Sequence, residues 1–208
     1  MTFTGIPLAA LDFYEDLEDD NSKGFWMAHK QVYDEQVKAP LVALAAELEP
    51  EFGAAKFFRP YRDVRFSKDK TLYKTHQGLW FGESSRYLHV SAAGLFVAGG
   101  CWGTSTPQVE RLRRAVDDDV AGAQLERAIA AVTRAKLVIG GHQLTRVPAG
   151  YAKEHPRAEL LRYKTMTAGR EFGSPAWLAT KRTRVEIAKA WRAMTTLIAW
   201  LDTHVGRD

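Results

Sequence analysis

The sequence predicts an α+β protein: one domain over residues 1–208, with an antiparallel-rich sheet from the middle of the chain packed by N- and C-terminal helices. Three observations carry this. Apolar residues recur at helical spacing up to about Glu49 and again from Thr183 onward. Between Lys56 and Trp102 the pattern changes to aromatic and β-branched residues punctuated by glycine. No internal repeat, low-complexity tract or linker interrupts the chain.

Pro7 to Glu18 reads as a helix with Leu8, Leu11, Tyr14 and Leu17 inward, and Asp19-Asp20-Asn21-Ser22 supplies a break and a new N-cap. Trp26, Tyr33, Val37, Leu41, Leu44 and Leu48 then mark a longer helix from Lys23 to Glu49. Pro40 is expected to kink or split it, and Pro50 with Gly53 to end it. Strands are expected near Phe57–Tyr61, His76–Phe81, Arg86–Ser91 and Leu95–Cys101, with hairpin turns at 82–85 and 92–94 and a bulge or close backbone approach at Gly99-Gly100. Thr106-Pro107 opens a helix through Val116, and Asp117-Asp118-Asp119 separates it from a second helix carrying Leu125, Ile129 and Val132. A further strand is expected at Gln143–Val147 and a short helix after His155-Pro156. Ile187, Trp191, Met194, Ile198 and Leu201 define a closing helix.

With 208 residues, 46% hydrophobic and 26% charged, the composition is that of a globular protein and excludes intrinsic disorder. The longest weakly polar stretch, Ser91–Gly103, is too short to span a bilayer, which needs about 20 apolar residues. The acidic N-terminal stretch lacks the pattern of a signal peptide, so a cytoplasmic location and no membrane partner are expected. Cys101 is the one cysteine, which excludes an internal disulfide and a CxxC site.

The net charge of +4 is unevenly distributed: residues 1–55 carry −8, residues 56–76 carry +5, residues 77–150 carry +2 and residues 151–208 carry +5. The cluster at 56–76 holds Arg59, Arg62, Arg65, Lys68, Lys70, Lys74 and His76, interleaved with Tyr61, Phe66 and Tyr73. Guanidinium forks match carboxylates and phosphates, so the segment reads as an oxyanion site, with Tyr73 among its residues and Arg162 and Lys164 as further contributors. His76 or Asp63 would serve as the general acid/base if the protein is an enzyme, which the sequence does not decide. Against this stands a structural reading in which the arginines pair with Asp63, Asp69 or the acidic N-terminal helices.

A small anionic metabolite ranks ahead of nucleic acid, because the acidic first quarter would repel a long polyanion. A non-enzymatic interaction protein is the third class. Ser67-Lys68-Asp69-Lys70 matches S-x-x-K but has no supporting S-D-N or K-T-G. The scattered His76, His89, His142, His155 and Cys101 lack metal-ligand spacing, and no phosphate-loop motif occurs, so no metal and no cofactor are expected. His76 and His89 fall on adjacent expected strands and could face each other.

Three strings, YRDVRFSKDKTLYKTH (61–76), GLFVAGGCWG (94–103) and HPRAELLRYK (155–164), together with FWMAHKQVYDEQVKAPL near the N-terminus, resemble a bacterial and fungal family catalogued as domain of unknown function 2461. The resemblance spans most of the chain and brings no established activity or cofactor. It implies that Arg62, Asp63, Arg65, Phe66, Ser67, Lys68, Asp69, Lys70, Tyr73, Lys74 and His76 match the family signature. Leu72 stands where the family commonly has proline.

Overall fold

A computed structural model describes residues 2–63 and 71–206. Helix accounts for 49% and strand for 19%, and the architecture is α+β with a six-stranded antiparallel sheet. In chain order the elements are α1 (Ala9–Asp19), α2 (Lys23–Val32), a π-helical segment (Tyr33–Lys38), α3 (Ala39–Phe52), β1 (Ala55–Phe57), β2 (His76–Phe81), β3 (Arg86–Ser91), β4 (Gly94–Cys101), α4 (Thr106–Asp117), α5 (Asp119–Arg134), β5 (Val138–Gly140), α6 (Ala158–Leu161), β6 (Met166–Gly173), α7 (Arg182–Ala193) and α8 (Thr195–His204). The strand order is β1-β2-β3-β4-β6-β5. Among the described residues no helix is long and apolar enough to cross a membrane.

The chain divides into two compact units, Met1–Val97 with Glu171–Lys189, and Ala98–Arg170 with Ala190–Asp208. In the first, Ser22 caps α2 by accepting from the Phe25 amide at 3.1 Å. The long helical stretch is split into α2 and α3 by a π-helical segment placed just ahead of Pro40. Proline lacks an N–H and crowds the carbonyl four residues back, and the wider turn absorbs both. Pro50 does not stop α3. Leu48 and Phe52, both buried, keep the helix in place until Gly53, whose φ of +83° turns the chain out.

β2 and β3 form the centre of this unit, with Gln77 opposite Val90, Leu79 opposite Leu88 and Phe81 opposite Arg86. Those side chains make the core face, where Leu79, Phe81, Leu88 and Val90 are fully buried. α1 packs against β3, and the π segment packs against α1, α2 and α3. The alternation of period two leaves His76, Trp80, Tyr87, His89 and Ser91 on the other face, all half-buried.

In the second unit α5 packs on α4, β5 and α8. α4 is capped by Ser105, one residue before the expected Thr106, with Gln108 completing a capping box. Asp118 caps α5, accepting from the Val120 and Ala121 amides at 3.0 and 2.8 Å. The expected strand at Gln143–Val147 is absent: Gln143 forms only an isolated bridge to Tyr163, and the sheet takes Val138–Gly140 and Met166–Gly173 instead. At Gly100 φ is +132°, and a Cβ would lie 2.5 Å from the Met166 carbonyl oxygen. That is the close backbone approach expected of the glycine pair. The closing helix breaks at Met194 into α7 and α8. Trp191 and Met194 remain fully buried.

Candidate functional site

The basic motif enters the first unit as a short antiparallel pairing that extends the β1–β2 ladder. Phe58 donates its amide to the Gly78 carbonyl at 3.0 Å, Lys74 to Pro60 at 2.7 Å and Arg62 to Leu72 at 2.9 Å, and Tyr61 bridges Tyr73. Arg65, Lys68 and Lys70, with Phe66, Ser67 and Asp69 of the signature, lie outside the described residues.

Tyr73 anchors this pairing. Its ring is buried and stacks on Trp26 at 4.4 Å and 8°, with Tyr61 at 5.3 Å. Asn21 grips its backbone with both ends of the amide: Oδ1 accepts from the Tyr73 N–H at 2.8 Å, and Nδ2 donates to the Tyr73 carbonyl at 3.1 Å. Asn21→Ala leaves both backbone groups without that partner and should cost about 1–3 kcal/mol in a denaturant titration. A loss below about 0.5 kcal/mol would show that water replaces the amide without penalty.

Arg59 and Arg62 are exposed, and Lys74 is half-buried with its ammonium 5.4 Å from the centre of the Phe58 ring. Arg62 donates to the Thr71 hydroxyl. Among the described residues neither Arg59 nor Lys74 has a carboxylate partner within ion-pair distance. Burial, and then the charges of Arg59 and Arg62, hold the Lys74 ammonium below its usual pKa. This segment therefore gathers positive charge that its own fold does not neutralise at Lys74. Asp63 is exposed.

His76 stands at the start of β2, two residues beyond Lys74. Burial, then the charges of Lys74 and Arg62, lower its pKa, so its imidazole is neutral at pH 7 and can accept a proton. His89 lies diagonally across the ladder on β3, as expected, with ring centroids 5.0 Å apart. Its pKa falls to about 4 through burial and then the neighbouring His76. Around these two rings lie Tyr87, whose pKa burial pushes up to about 12, and Phe96 of β4, stacked on His89 at 5.0 Å. Tyr87 and Phe96 carry no charge and stand outside the charged motif, and Phe58 lies within its 56–76 span. The signal that reveals them is the register, which puts His89 opposite Gly78 and Tyr87 opposite Trp80.

Gln77, buried on the core face, fixes this corner from behind. It accepts from the Tyr33 hydroxyl at 2.7 Å and donates to the carbonyls of Phe58 and Gly78 at 2.9 and 3.0 Å. Tyr33 reaches it from the π-helical segment. Among the described residues no group of three or more His, Cys, Asp or Glu side chains is arranged to hold a metal ion.

The family assignment follows from sequence comparison. The described signature belongs to a match with the family "Conserved hypothetical protein (DUF2461)" over residues 9–200. The chain belongs to that family. Comparison with curated proteins and with solved structures gives no match.

The family's third string lies in the second unit. Arg162 donates Nε to the Leu144 carbonyl at 2.8 Å and Nη1 to Glu159 at 2.6 Å. Arg157 is buried against the α4–α5 junction, and His155 lies 3.1 Å from Asp117. Lys164 is exposed, and its amide donates to the His142 carbonyl at 2.7 Å.

Proposed function

We propose that the protein binds a small oxyanion, a phosphorylated or carboxylated metabolite, at Arg59, Arg62 and Lys74, with His76 beside the anion as a neutral acid/base. Arg65, Lys68 and Lys70 of the same stretch are the sequence-expected continuation of this cation set. Lys74 carries the argument: it is half-buried, in the field of two arginines, and has no carboxylate partner among the described residues. Like charges brought together in this way raise the free energy of the unliganded state, and an anion placed among them removes that penalty. Neutral His76 could then accept a proton from a bound substrate if the ligand is transformed.

A ligand that binds only the folded state adds about 2.7 kcal/mol of stability at one hundred times its Kd. For a chain of this length, each kcal/mol shifts Tm by about 2–4 °C. A panel of phosphate, sulfate, citrate and simple phosphate esters should therefore raise Tm by about 5–10 °C for at least one member. Lys74→Met and Arg59→Ala should remove most of that shift while leaving Tm without anion unchanged or raised, since each relieves repulsion. A flat panel would overturn the reading and return the motif to a structural role.

A further inference from the structure

The sheet face beside these cations is an aromatic layer left half-open. Phe58, Tyr87, His89, His76 and Phe96 form a chain of ring contacts: Phe58 to Tyr87 at 6.2 Å, Tyr87 to His89 at 5.6 Å, His89 to His76 and to Phe96 at 5.0 Å each. Every ring in it is half-buried, whereas the alternate residues of β2 and β3 are fully buried on the core face. Gly78 lies in the middle of this layer. A Cβ there would come within 2.7 Å of the Tyr87 hydroxyl and 3.0 Å of Phe58 Cδ2. The glycine thus leaves room for two rings over the strand, Phe58 and Tyr87, tilted 42° to each other.

Lys74 joins the layer to the cation cluster, because its ammonium lies over the Phe58 ring. Half-buried, uncharged rings suit contact with another ring, stacked or edge to face, and the cations next to them suit an anion attached to it. We infer that the ligand is an anion carried on a planar aromatic ring, of the aryl phosphate or nucleoside monophosphate class, with its ring on the Tyr87–His89–Phe96 layer and its phosphate at Lys74 and Arg59. This inference rests on the anion site proposed above. An extended polyanion is disfavoured by the eleven Asp and Glu of residues 1–55.

Stacking of a base on aromatic side chains is worth about 1–3 kcal/mol, which corresponds to about 5- to 150-fold in affinity. The test is calorimetric titration of the unmodified chain with inorganic phosphate, ribose 5-phosphate, phenyl phosphate and adenosine monophosphate. The ring-bearing pair should bind at least fivefold more tightly than the other two. Phe96→Leu should erase that advantage without weakening phosphate, and Lys74→Met should weaken all four. Equal binding of all four would overturn the inference and leave the anion site standing. Absence of binding by any of them would overturn both. Tight, salt-sensitive binding of a single-stranded oligonucleotide with none for the monophosphate would also overturn it.

Discussion

Arg157→Ala is expected to lower the unfolding free energy by about 3 kcal/mol, the range found when a buried charged group is taken from its partners. The guanidinium is 8% exposed and donates to the Val116 carbonyl at 3.0 Å and to those of Asp117 and Asp119 at 3.4 Å each. The Val116 and Asp117 carbonyls belong to the last turn of α4, where the helix ladder leaves acceptors unfilled, and Asp119 opens α5. Asp119 and Glu126 lie 3.5 and 3.6 Å from the same group, but both are well exposed and contribute little. The loss should therefore come from orphaned carbonyls and the vacated volume.

Gly122 provides the internal control. A Cβ at Gly122 would lie 2.6 Å from Arg157 Cζ, so Gly122→Ala in the intact protein should destabilise by more than about 2 kcal/mol through overpacking. In the Arg157→Ala background the side-chain clash is gone, but a Cβ would still lie 2.5 Å from the Val116 carbonyl oxygen, so the same change should still destabilise, by less than in the intact protein. Additive losses in urea melts of the four proteins would show that the two residues do not share one space.

This junction bears on how the family signature divides. HPRAELLRYK looks like a second cluster of cations in the sequence, yet Arg157 and Arg162 spend their nitrogens on carbonyls and on Glu159. YRDVRFSKDKTLYKTH contains Lys74, which has no such partner among the described residues. Sequence alone does not separate the two, because a guanidinium that fills carbonyl acceptors and one that awaits a ligand are the same residue type.

The fold was legible where local and tertiary preferences agree. β2 and β3 begin and end where expected because a run of aromatic and β-branched residues is bounded by Gly82-Glu83-Ser84-Ser85. β6 escaped notice because Ala168, Gly169 and Gly173 are weak strand formers, held by pairing to β5 rather than by propensity. Pro50 with Gly53 was expected to end α3; the helix ends at Gly53 and runs through Pro50, since burial of Phe52 outweighs the one missing hydrogen bond. The charged half of the site is plain in the string itself. Its aromatic half is legible in part: alternation along β3 puts Tyr87 on the face of His89, whereas Phe96 joins them only once β4 is placed beside β3.

His89 should make the protein acid-sensitive in a way that a phenylalanine in its place removes. An unfolded histidine takes up its proton near pH 6.5, whereas burial, and then His76, hold the folded His89 down to about 4. Between those two values the unfolded chain binds more protons than the folded one, so stability contributed by the neutral ring is full above about pH 6.5 and falls as pH drops towards 4. Among the described residues the groups facing the ring are His76 from β2, Tyr87 from β3 and Phe96 from β4, and none is a carboxylate that would offset the penalty of charging it. The separation of the two values corresponds to about 3.4 kcal/mol in full. Urea melts at pH 7 should place wild type and His89→Phe within about 1 kcal/mol of each other. At pH 4 the variant should be the more stable by about 2–3 kcal/mol. Parallel pH profiles for the two proteins would mean that the ring is protonated within the fold at little penalty, and that the face it occupies is wet enough to solvate a charge.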